Sequence, residues 1–396
     1  MDKSVYQSLA PLWDLSFIFW FVVAFIYGNS PLVTVALFIF FGVSCCALAL
    51  KGQFKISPMS VIYVALVLVA FVNLKMGYSI YPTNSSAMIK TMLKSLLFMC
   101  VAYYYAGMRG TKKFADIFVV SSGIGSVSIF VLNFMSSGSL VIRDQGFFNA
   151  NGLAVASAFS VCYLIFNGRF KKAGDVISII WFAMFFLISG TRKALLVIAV
   201  SIVVYILVRA PKKLVINLLY LVIIFGIGYL ILTKVPFIYD AIGYRFESLL
   251  KTVDGGKGDG SAESRQMYIE LVMKYYKQRP IWGHGVNTFR TLDGSHGSYS
   301  HNNYVELLFS VGIVGTVTYY LIYVWILVTA IAKYVKYHSR NALMAIAFII
   351  AFAVNDIAMV SYYERGMFII LILCYMLTRC EKNDYGENKK SVNESV

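Results

Sequence analysis

The sequence has little charge for its length. Asp, Glu, Lys and Arg make up only 14% of its 396 residues, whereas they make up about a quarter of a soluble protein. Hydrophobic residues account for 59% of the chain and aromatic residues for 16%, and the mean hydropathy is +0.72. This composition excludes a soluble globular protein and a disordered one, and it indicates a polytopic membrane protein.

The sequence also lacks the patterns that hold disulfides or metal ions outside a membrane. All six cysteines fall in apolar segments or at their edges: Cys45, Cys46, Cys100, Cys162, Cys374 and Cys380. No Cys/His cluster has the spacing of a zinc site, and no Asp-x-Asp pair occurs in a predicted external segment. We therefore expect no disulfide framework and no metal or organic cofactor.

What the sequence does have is a series of long apolar runs. A helix needs about 20 largely apolar residues to span the hydrocarbon core of a bilayer. Twelve runs qualify: 12–28, 31–50, 57–75, 91–108, 114–135, 150–167, 174–190, 193–209, 213–233, 303–332, 341–361 and 364–379. Short links with turn residues separate several of them, so neighbouring helices are antiparallel. The sequence predicts an all-α fold with about 12 transmembrane helices.

The basic residues predict the orientation of these helices. Among the short loops, alternate ones carry most of the lysine and arginine, as cytoplasmic loops do: Lys51, Lys55, Arg109, Lys112, Lys113, Arg169, Lys171, Lys172, Arg209, Lys212, Lys213, Lys333, Lys336 and Arg340. This pattern places both termini in the cytoplasm. Of the net charge of +16, the cytoplasmic side then carries +12, the external side +7 and the spans −3.

One long interruption, residues 234–302, falls on the predicted external side. It divides the chain into helices 1–9 (1–233), the external loop (234–302), helices 10–12 (303–380) and a cytoplasmic tail (381–396). Within the loop, apolar residues recur at three- and four-residue spacing: Tyr268, Leu271, Val272, Tyr275 and Tyr276. With Ser261 as N-cap and Pro280 as terminator, they predict an amphipathic helix. It lies either on the bundle surface or against its own loop.

Positive charge on the external side marks a candidate binding site. Arginines occur there in short turns and in the loop, against the usual distribution: Arg143, Arg192, Arg245, Arg265 and Arg365. Solvation or snorkelling also accounts for each of them singly. Together they predict a cationic pocket for a phosphate group, because the planar guanidinium binds two phosphate oxygens at once.

Histidine supplies a candidate general base, since its side chain titrates near neutral pH. Three of the four histidines lie in the last third of the external loop: His284, His296 and His301. His301 directly precedes the tenth span, so we expect it at a helix N-terminus on the rim of the membrane. The alternative is a polar boundary residue without chemistry. His284 is a further candidate, whereas His338 lies on the cytoplasmic side.

The residues that follow His301 form a signature. His301-Asn302 is followed by nine residues and then by Gly312-Ile313-Val314-Gly315. This resembles the H-N-x9-G-x-x-G signature of the O-antigen ligase and O-antigen polymerase superfamily. Other motifs agree in order and spacing: Arg143 with Gly146, Asn149 to Ala154, Ser189-Gly190-Thr191-Arg192, Ser264-Arg265, and Pro280 to Gly285 ahead of Phe289. Ala150 departs from the pattern, because the family usually has proline there.

The resemblance implies a GT-C-like integral membrane glycosyltransferase that needs no metal and inverts the anomeric carbon. It implies that His301 deprotonates the acceptor sugar hydroxyl and that Arg192 and Arg265 bind the diphosphate of an undecaprenyl-diphosphate-linked oligosaccharide. Asn302 and Tyr304, next to the base, are further candidates. The chemistry agrees, because a departing diphosphate develops negative charge, and without a divalent metal fixed cations must offset it.

The resemblance leaves three activities open. A polymerase joins lipid-linked repeat units into O-antigen or capsule on the outer leaflet of the bacterial cytoplasmic membrane, and the run Ser189–Ala194 favours it. A ligase transfers the glycan to the lipid A core of lipopolysaccharide. A flippase for such lipids predicts repeated halves, which this sequence does not show, and ionisable residues near the midplane. Asp356 is the main example of such a residue, as a midplane substrate contact or a structural hydrogen-bonding residue. Expected partners are the bilayer, the lipid-linked oligosaccharides, a chain-length regulator and a flippase, but no nucleic acid.

Overall fold

The computed structural model describes most of the chain, and within this part the structure is helical, with no strand. The described residues are 3–28, 30–51, 54–139, 142, 148–169, 172–209, 213–236, 239 and 260–379. Arg143 and Arg245, both predicted to bind the diphosphate, lie outside them.

The described residues form thirteen α-helices, numbered here in chain order. Twelve coincide with the predicted apolar runs: α1 (Lys3–Tyr27), α2 (Pro31–Lys51), α3 (Pro58–Lys75), α4 (Pro82–Arg109), α5 (Thr111–Ser137), α6 (Ala150–Phe166), α7 (Ala173–Ser189), α8 (Arg192–Arg209), α9 (Leu214–Lys234), α11 (Asn303–Tyr337), α12 (Arg340–Asn355) and α13 (Arg365–Leu377). The remaining helix, α10 (Gly260–Tyr276), and a 3₁₀ turn at Phe289–Thr291 belong to the predicted external loop.

Seven of these helices are long and apolar enough to cross a membrane: α1, α2, α3, α4, α5, α9 and α11. Four more, α6, α7, α12 and α13, are apolar but only 13 to 17 residues long. The all-helical, polytopic architecture is therefore confirmed. The count of twelve spans and the external position of the loop remain predictions.

Proline and small residues set the ends of several helices. Proline is the first residue of α2, α3 and α4, where its missing N–H would have had no partner within the helix. The Ser57 hydroxyl accepts a hydrogen bond from the Ser60 N–H at 3.2 Å and caps α3. Gly190, in the left-handed conformation with φ of 60°, ends α7. The link to α8 therefore consists only of Gly190 and Thr191.

Helix α13 lies at the centre of the bundle, with nearly all of its residues buried. It packs against α4, α5, α6 and α12. Helix α11 packs against both α3 and α12, and α8 packs against α6 and α12. Helix α11 therefore stands between the part of the bundle that contains α3 and α4 and the part that contains α8.

Helix α11 is broken at Gly312, where the sequence predicted one continuous span. Gly312 has φ of 62° and ψ of −167°, far from helical values. The segment Pro280–Gly285 fills the break. The Ile313 N–H donates to the Pro280 carbonyl at 2.9 Å, and the Gly285 N–H donates to the Ser310 carbonyl at 2.9 Å. The backbone bonds that the helix loses at the break are thus replaced by bonds to the loop.

The close approach of the two segments requires glycine on both sides. A Cβ added at Gly312 would overlap the Ile281 carbonyl, and one at Gly283 would lie 2.6 Å from the Gly312 nitrogen. The Asn73 amide of α3 donates to the Trp282 carbonyl at 2.5 Å and supports the junction from the bundle side. The two glycine motifs of the sequence, Pro280–Gly285 and Gly312–Gly315, therefore pack directly against each other.

Two predicted boundaries are wrong. The eleventh run was predicted to extend to residue 361, but α12 ends at Asn355, because the residues from Asp356 onward turn back to bond the start of α11. Ser261 was predicted to cap α10, but the helix begins at Gly260, and it ends at Tyr276 rather than at Pro280. Tight turns, with the Arg279 N–H bonded to the Tyr276 carbonyl at 3.1 Å, close it early.

Candidate active site

His301 lies in the turn that precedes α11, where the sequence predicted it. Its backbone has φ of 57°, and its half-buried ring contacts Tyr299 and Tyr268, with centroid distances of 4.2 and 6.4 Å. Its Nε2 atom lies 3.2 Å from the Ser298 hydroxyl. The next residue, Asn302, caps α11 by accepting a hydrogen bond from the Val305 N–H at 3.2 Å. The ring is thus held at a helix N-terminus.

A buried carboxyl group supports this turn from within the bundle. Glu306, in the first turn of α11, is 2% exposed. Its Oε2 accepts a hydrogen bond from the Ser300 N–H at 2.9 Å, and the Ser300 hydroxyl donates to the Asn302 carbonyl at 3.0 Å. Because Ser300 and Asn302 flank His301, these bonds fix its left-handed backbone, which costs about 1 kcal/mol or more in a residue other than glycine.

A second buried carboxylate, Asp356, fixes the first residue of α11. It accepts hydrogen bonds of 2.7 to 3.2 Å from four side chains, those of Asn303, Tyr320, Tyr323 and Ser361. The Asn303 N–H also donates to the Asp356 carbonyl at 2.8 Å, and the Asn303 Oδ1 accepts from the Ser361 N–H at 2.9 Å. The sequence left two roles open for Asp356, a structural hydrogen-bonding residue or a midplane substrate contact. Its hydrogen bonds favour the structural role, and they place it beside Asn303, which follows His301 by two residues.

Two cations act on the His301 ring. Burial lowers its pKa, and the positive charges of Arg265 and then Lys193 lower it further, to about 4. Arg265 lies three residues before Tyr268 in α10 and so shares the helix face that contacts His301. Lys193 is the second residue of α8. The ring is therefore neutral at pH 7, and α8 and α10 both bring positive charge to it.

The start of α8 is held against the start of α6. The buried Thr191 hydroxyl donates to the Asn151 Oδ1 at 2.9 Å, and the Ile142 N–H donates to the Ile188 carbonyl at 3.0 Å. The motifs around Asn151 and around Arg192, about 40 residues apart, thus meet at the end of the bundle where α11 begins, called here the His301 end. Arg192 is the first residue of α8 and is half-buried.

Two predicted candidates have packing roles. His284 is 3% exposed, its Nε2 lies 2.8 Å from the Tyr275 carbonyl, and its ring stacks on Phe309 at 5.2 Å. The ring is enclosed by α10 and α11, which gives His284 a packing role, and the chemistry considered for it stays a prediction. The Tyr304 hydroxyl donates to the Ala353 carbonyl at 2.9 Å, which ties α11 to α12. Arg365, the first residue of α13, is 6% exposed.

Helix α10 packs through the face that the sequence predicted. Tyr268 and Val272 are buried against Phe289 and Leu292 of its own loop and against Phe309 of α11. It therefore covers the break in α11 rather than lying apart on the bundle. Among the described residues, no three His, Cys, Asp or Glu side chains are grouped so that they could hold a metal ion.

The sequence analysis assigned no role to Lys193 or Glu306 and did not predict the bond between Asp356 and Asn303. Lys193 had a signal, since it stands beside Arg192 directly after the link between α7 and α8. Glu306 had one as well, because an acidic residue in the first turn of an apolar helix needs a hydrogen-bond donor when it is buried. The Asp356 network had none, because its members lie on α11 and in the segment after α12, far apart in the chain.

One protein-family model matches the part of the chain that contains His301. Residues 177–320 match a family model described as O-antigen ligase. The match confirms the predicted resemblance to the O-antigen ligase and O-antigen polymerase superfamily. The matched O-antigen ligase segment begins in α7 and ends in α11, so it includes Arg192, Arg265 and His301. No curated protein matches the chain. The family implies a ligase or polymerase type of function for a glycosyltransferase-like enzyme, and with the apolar helices it indicates the bacterial inner membrane.

Proposed function

We propose that this protein polymerises undecaprenyl-diphosphate-linked oligosaccharide repeat units into O-antigen or capsular polysaccharide, on the outer leaflet of the cytoplasmic membrane. The observation that carries the proposal is the neutral His301 imidazole with two cations, Arg265 and Lys193, acting on it. A neutral imidazole can accept the proton of a sugar hydroxyl, and the cations can bind a diphosphate. Base and phosphate-binding groups thus meet at one place.

The reaction is a single displacement with inversion at the anomeric carbon. His301 takes the proton of the acceptor hydroxyl, whose oxygen attacks the anomeric carbon of the donor sugar. The bond between that carbon and the diphosphate oxygen breaks, and the lipid diphosphate leaves with the electron pair. Arg192, Arg265 and Lys193 offset the negative charge that develops there, which is where fixed cations lower the barrier most. This role for the cations makes the transfer independent of a metal.

Binding of the donor also makes His301 a stronger base. In the free protein the pKa of His301 is about 4, because its ring is buried beside Arg265 and Lys193. Such a ring is neutral but weakly basic. The negative charge of a bound diphosphate offsets both cations and raises the pKa of His301, since a nearby negative charge favours the imidazolium. The base therefore becomes strong only when the donor is in place, which limits proton abstraction to the productive complex.

The remaining predicted residues have secondary roles in this proposal. Asn302 and Tyr304 hold the start of α11, and with it the base. Arg365 contributes positive charge from the start of α13. Arg143 and Arg245 are proposed as further diphosphate ligands on the sequence alone. A flippase supplies the repeat units to such an enzyme, and a chain-length regulator stops it.

The second candidate is a ligase, and the description of the matched family model favours it. Polymerase and ligase share the proposed chemistry and differ in the acceptor, which is a lipid-linked repeat unit or the lipid A core. The run Ser189–Ala194, which resembles polymerases of this superfamily, supports the polymerase.

Purified protein in nanodiscs tests the assignment. Lipid-linked repeat units are supplied with and without a lipid A core acceptor, and products are resolved by length. A ladder of lipid-linked products without the core supports polymerisation. Products that form only with the core would assign a ligase. The same ladder is expected in the presence of EDTA, and strict dependence on a divalent ion would contradict the role given to Arg265 and Lys193.

A further inference from the structure

Two lysines lie on the lipid-facing side of α4, away from the site described above. Lys90 and Lys94 are both exposed and, one helical turn apart, share one face of the helix. The surrounding surface is apolar, with Leu93 of α4 at 49% exposure and Val35 and Phe38 of α2 at 52% and 59%. In a membrane protein such a surface faces acyl chains, which are poor surroundings for two ammonium groups.

The depth of the two lysines follows from the lengths of the helices. Helix α2 has 21 residues, about 31 Å at the rise of an α-helix, and so matches the hydrocarbon thickness of about 30 Å. Thr34, in its first turn, therefore lies just inside one boundary, the predicted external one. The Lys94 Nζ donates to the Thr34 hydroxyl at 3.2 Å, so it lies at the same level. Lys90, one turn further out, reaches the headgroups.

The positive charge of this pair needs an anion from the lipid. No described carboxylate forms an ion pair with Lys90 or Lys94, and two like charges one turn apart repel each other. The bond to Thr34 uses one of the three donors of Lys94. Two lysines one turn apart, with Cβ atoms about 6 Å from each other, match a lipid that carries more than one phosphate charge.

Lys90 and Lys94 also lie on the opposite side of α11 from α8, and His301 lies at the start of α11. Helix α4 packs mainly against α2, α3 and α13, whereas α8, which carries Arg192 and Lys193, packs against α6, α9 and α12. Helix α11, with His301 at its start, contacts both α3 and α12. A lipid bound at Lys90 and Lys94 would therefore approach His301 from the side opposite to a lipid bound at the start of α8.

We propose that Lys90 and Lys94 bind the diphosphate of the acceptor lipid, whose polyprenyl chain lies along the exposed faces of α2 and α4. This inference rests on the proposed polymerase function, which requires two lipid diphosphates at once. The donor diphosphate leaves at the reacting carbon and must be close to His301. The acceptor reacts at the far end of its sugar chain, so its diphosphate lies one repeat unit away from the base.

The kinetic test uses two substrates that cannot exchange roles. The donor carries a methylated terminal hydroxyl, and the acceptor carries a methylene group in place of its anomeric oxygen. In K90Q/K94Q we expect the KM for the acceptor to rise about tenfold or more, with the KM for the donor unchanged. K75Q is the matched control, because Lys75 is an exposed lysine at the end of α3 on the same side. K90R/K94R should restore the acceptor KM.

A binding test separates this inference from the proposed function. Geranylgeranyl diphosphate is the probe, and native mass spectrometry counts the molecules retained per protein. Wild type should retain two, and K90Q/K94Q and R192A one each. Two molecules retained by K90Q/K94Q, or an unchanged acceptor KM, would overturn the lysine site even if wild type makes a ladder. Loss of one molecule in K90Q/K94Q would support the site even if wild type makes none.

The same measurement tests whether the two lysines bind a diphosphate lipid or a phospholipid headgroup. Phosphatidylglycerol is added in tenfold excess over geranylgeranyl diphosphate. Retention of the second diphosphate lipid supports the acceptor site. Its displacement from both wild type and K75Q would overturn the inference in favour of a lysine pair that binds phospholipid headgroups, because the site would not distinguish a diphosphate from a single phosphate.

Discussion

The charged side chains at the two ends of the bundle differ in what they contact. At the predicted cytoplasmic end, arginines pair with carboxylates: Arg109 contacts Asp14 at 2.6 Å, and Arg169 contacts Asp175 at 2.9 Å and also Asp116. At the His301 end, the carboxyl groups of Glu306 and Asp356 are buried and accept hydrogen bonds from neutral donors. The positive charges there instead act on a neutral imidazole.

Under the proposed function, this difference separates charges that serve structure from charges that serve a ligand. An arginine held by two carboxylates has its charge offset and its donors occupied, as Arg169 has. At the His301 end the carboxyl groups are buried and hold the backbone, so positive charge still lowers the pKa of His301. Under the same proposal, basic side chains stabilise the fold at one end and form the candidate site at the other.

The largest effect is expected from the base itself. His301→Ala should reduce glycan transfer about 100-fold or more, because general base catalysis contributes a factor of that order. The initial rate of repeat-unit elongation by purified protein measures it. His296→Ala is the matched control, since His296 is an exposed histidine of the same loop with φ of 50°. A wild-type rate in His301→Ala would refute the assignment of the base.

Substitution of one arginine from each end tests whether the two ends differ in function. Arg192→Lys should slow transfer about tenfold, because an ammonium cannot make the bidentate contact to phosphate. Arg169→Lys should leave the rate within about twofold but lower thermal stability, because Arg169 donates to both oxygens of Asp175 at 2.9 and 3.0 Å. Rates and unfolding midpoints of both variants are measured together. Equal losses of rate would show that the two ends do not differ in function.

The His301 end also depends on the close backbone contact between Gly312 and Ile281. Gly312→Ala should lower the free energy of unfolding by about 2 to 4 kcal/mol, since its Cβ would overlap the Ile281 carbonyl and its φ is 62°. Gly297→Ala should cost only about 1 kcal/mol, because its φ is 72° but nothing lies within 4 Å of the added Cβ. Thermal unfolding in detergent distinguishes the two. Equal costs would mean that the junction tolerates a side chain.

The sequence allowed the helices and the position of His301 to be predicted because both are local signals. Apolar run length indicates a spanning helix, and twelve of the observed helices follow those runs. His301 directly precedes such a run, so its place in the turn before α11 could be predicted, whereas its role as the base stays a prediction. The break at Gly312 was not predicted, because its cause is the distant segment Pro280–Gly285. For Asp356 the sequence left a structural role and a midplane substrate contact open, because its hydrogen bonds come from residues 303, 320, 323 and 361.

The smallest effect is a shift in pH dependence. His301 works as a base only when neutral, so kcat/KM should fall as the pH drops through the pKa of the free protein, about 4. Lys193→Gln removes one cation that lowers this pKa, so the pKa rises and the acid limb moves to higher pH. Lys277→Gln removes an exposed charge just after α10 and should leave the limb in place. In wild type the acid limb of the kcat profile should lie at higher pH than that of the kcat/KM profile, because the bound diphosphate offsets the cations and raises the pKa of His301. Coincident limbs in wild type and Lys193→Gln would show that the charge of Lys193 does not reach the base.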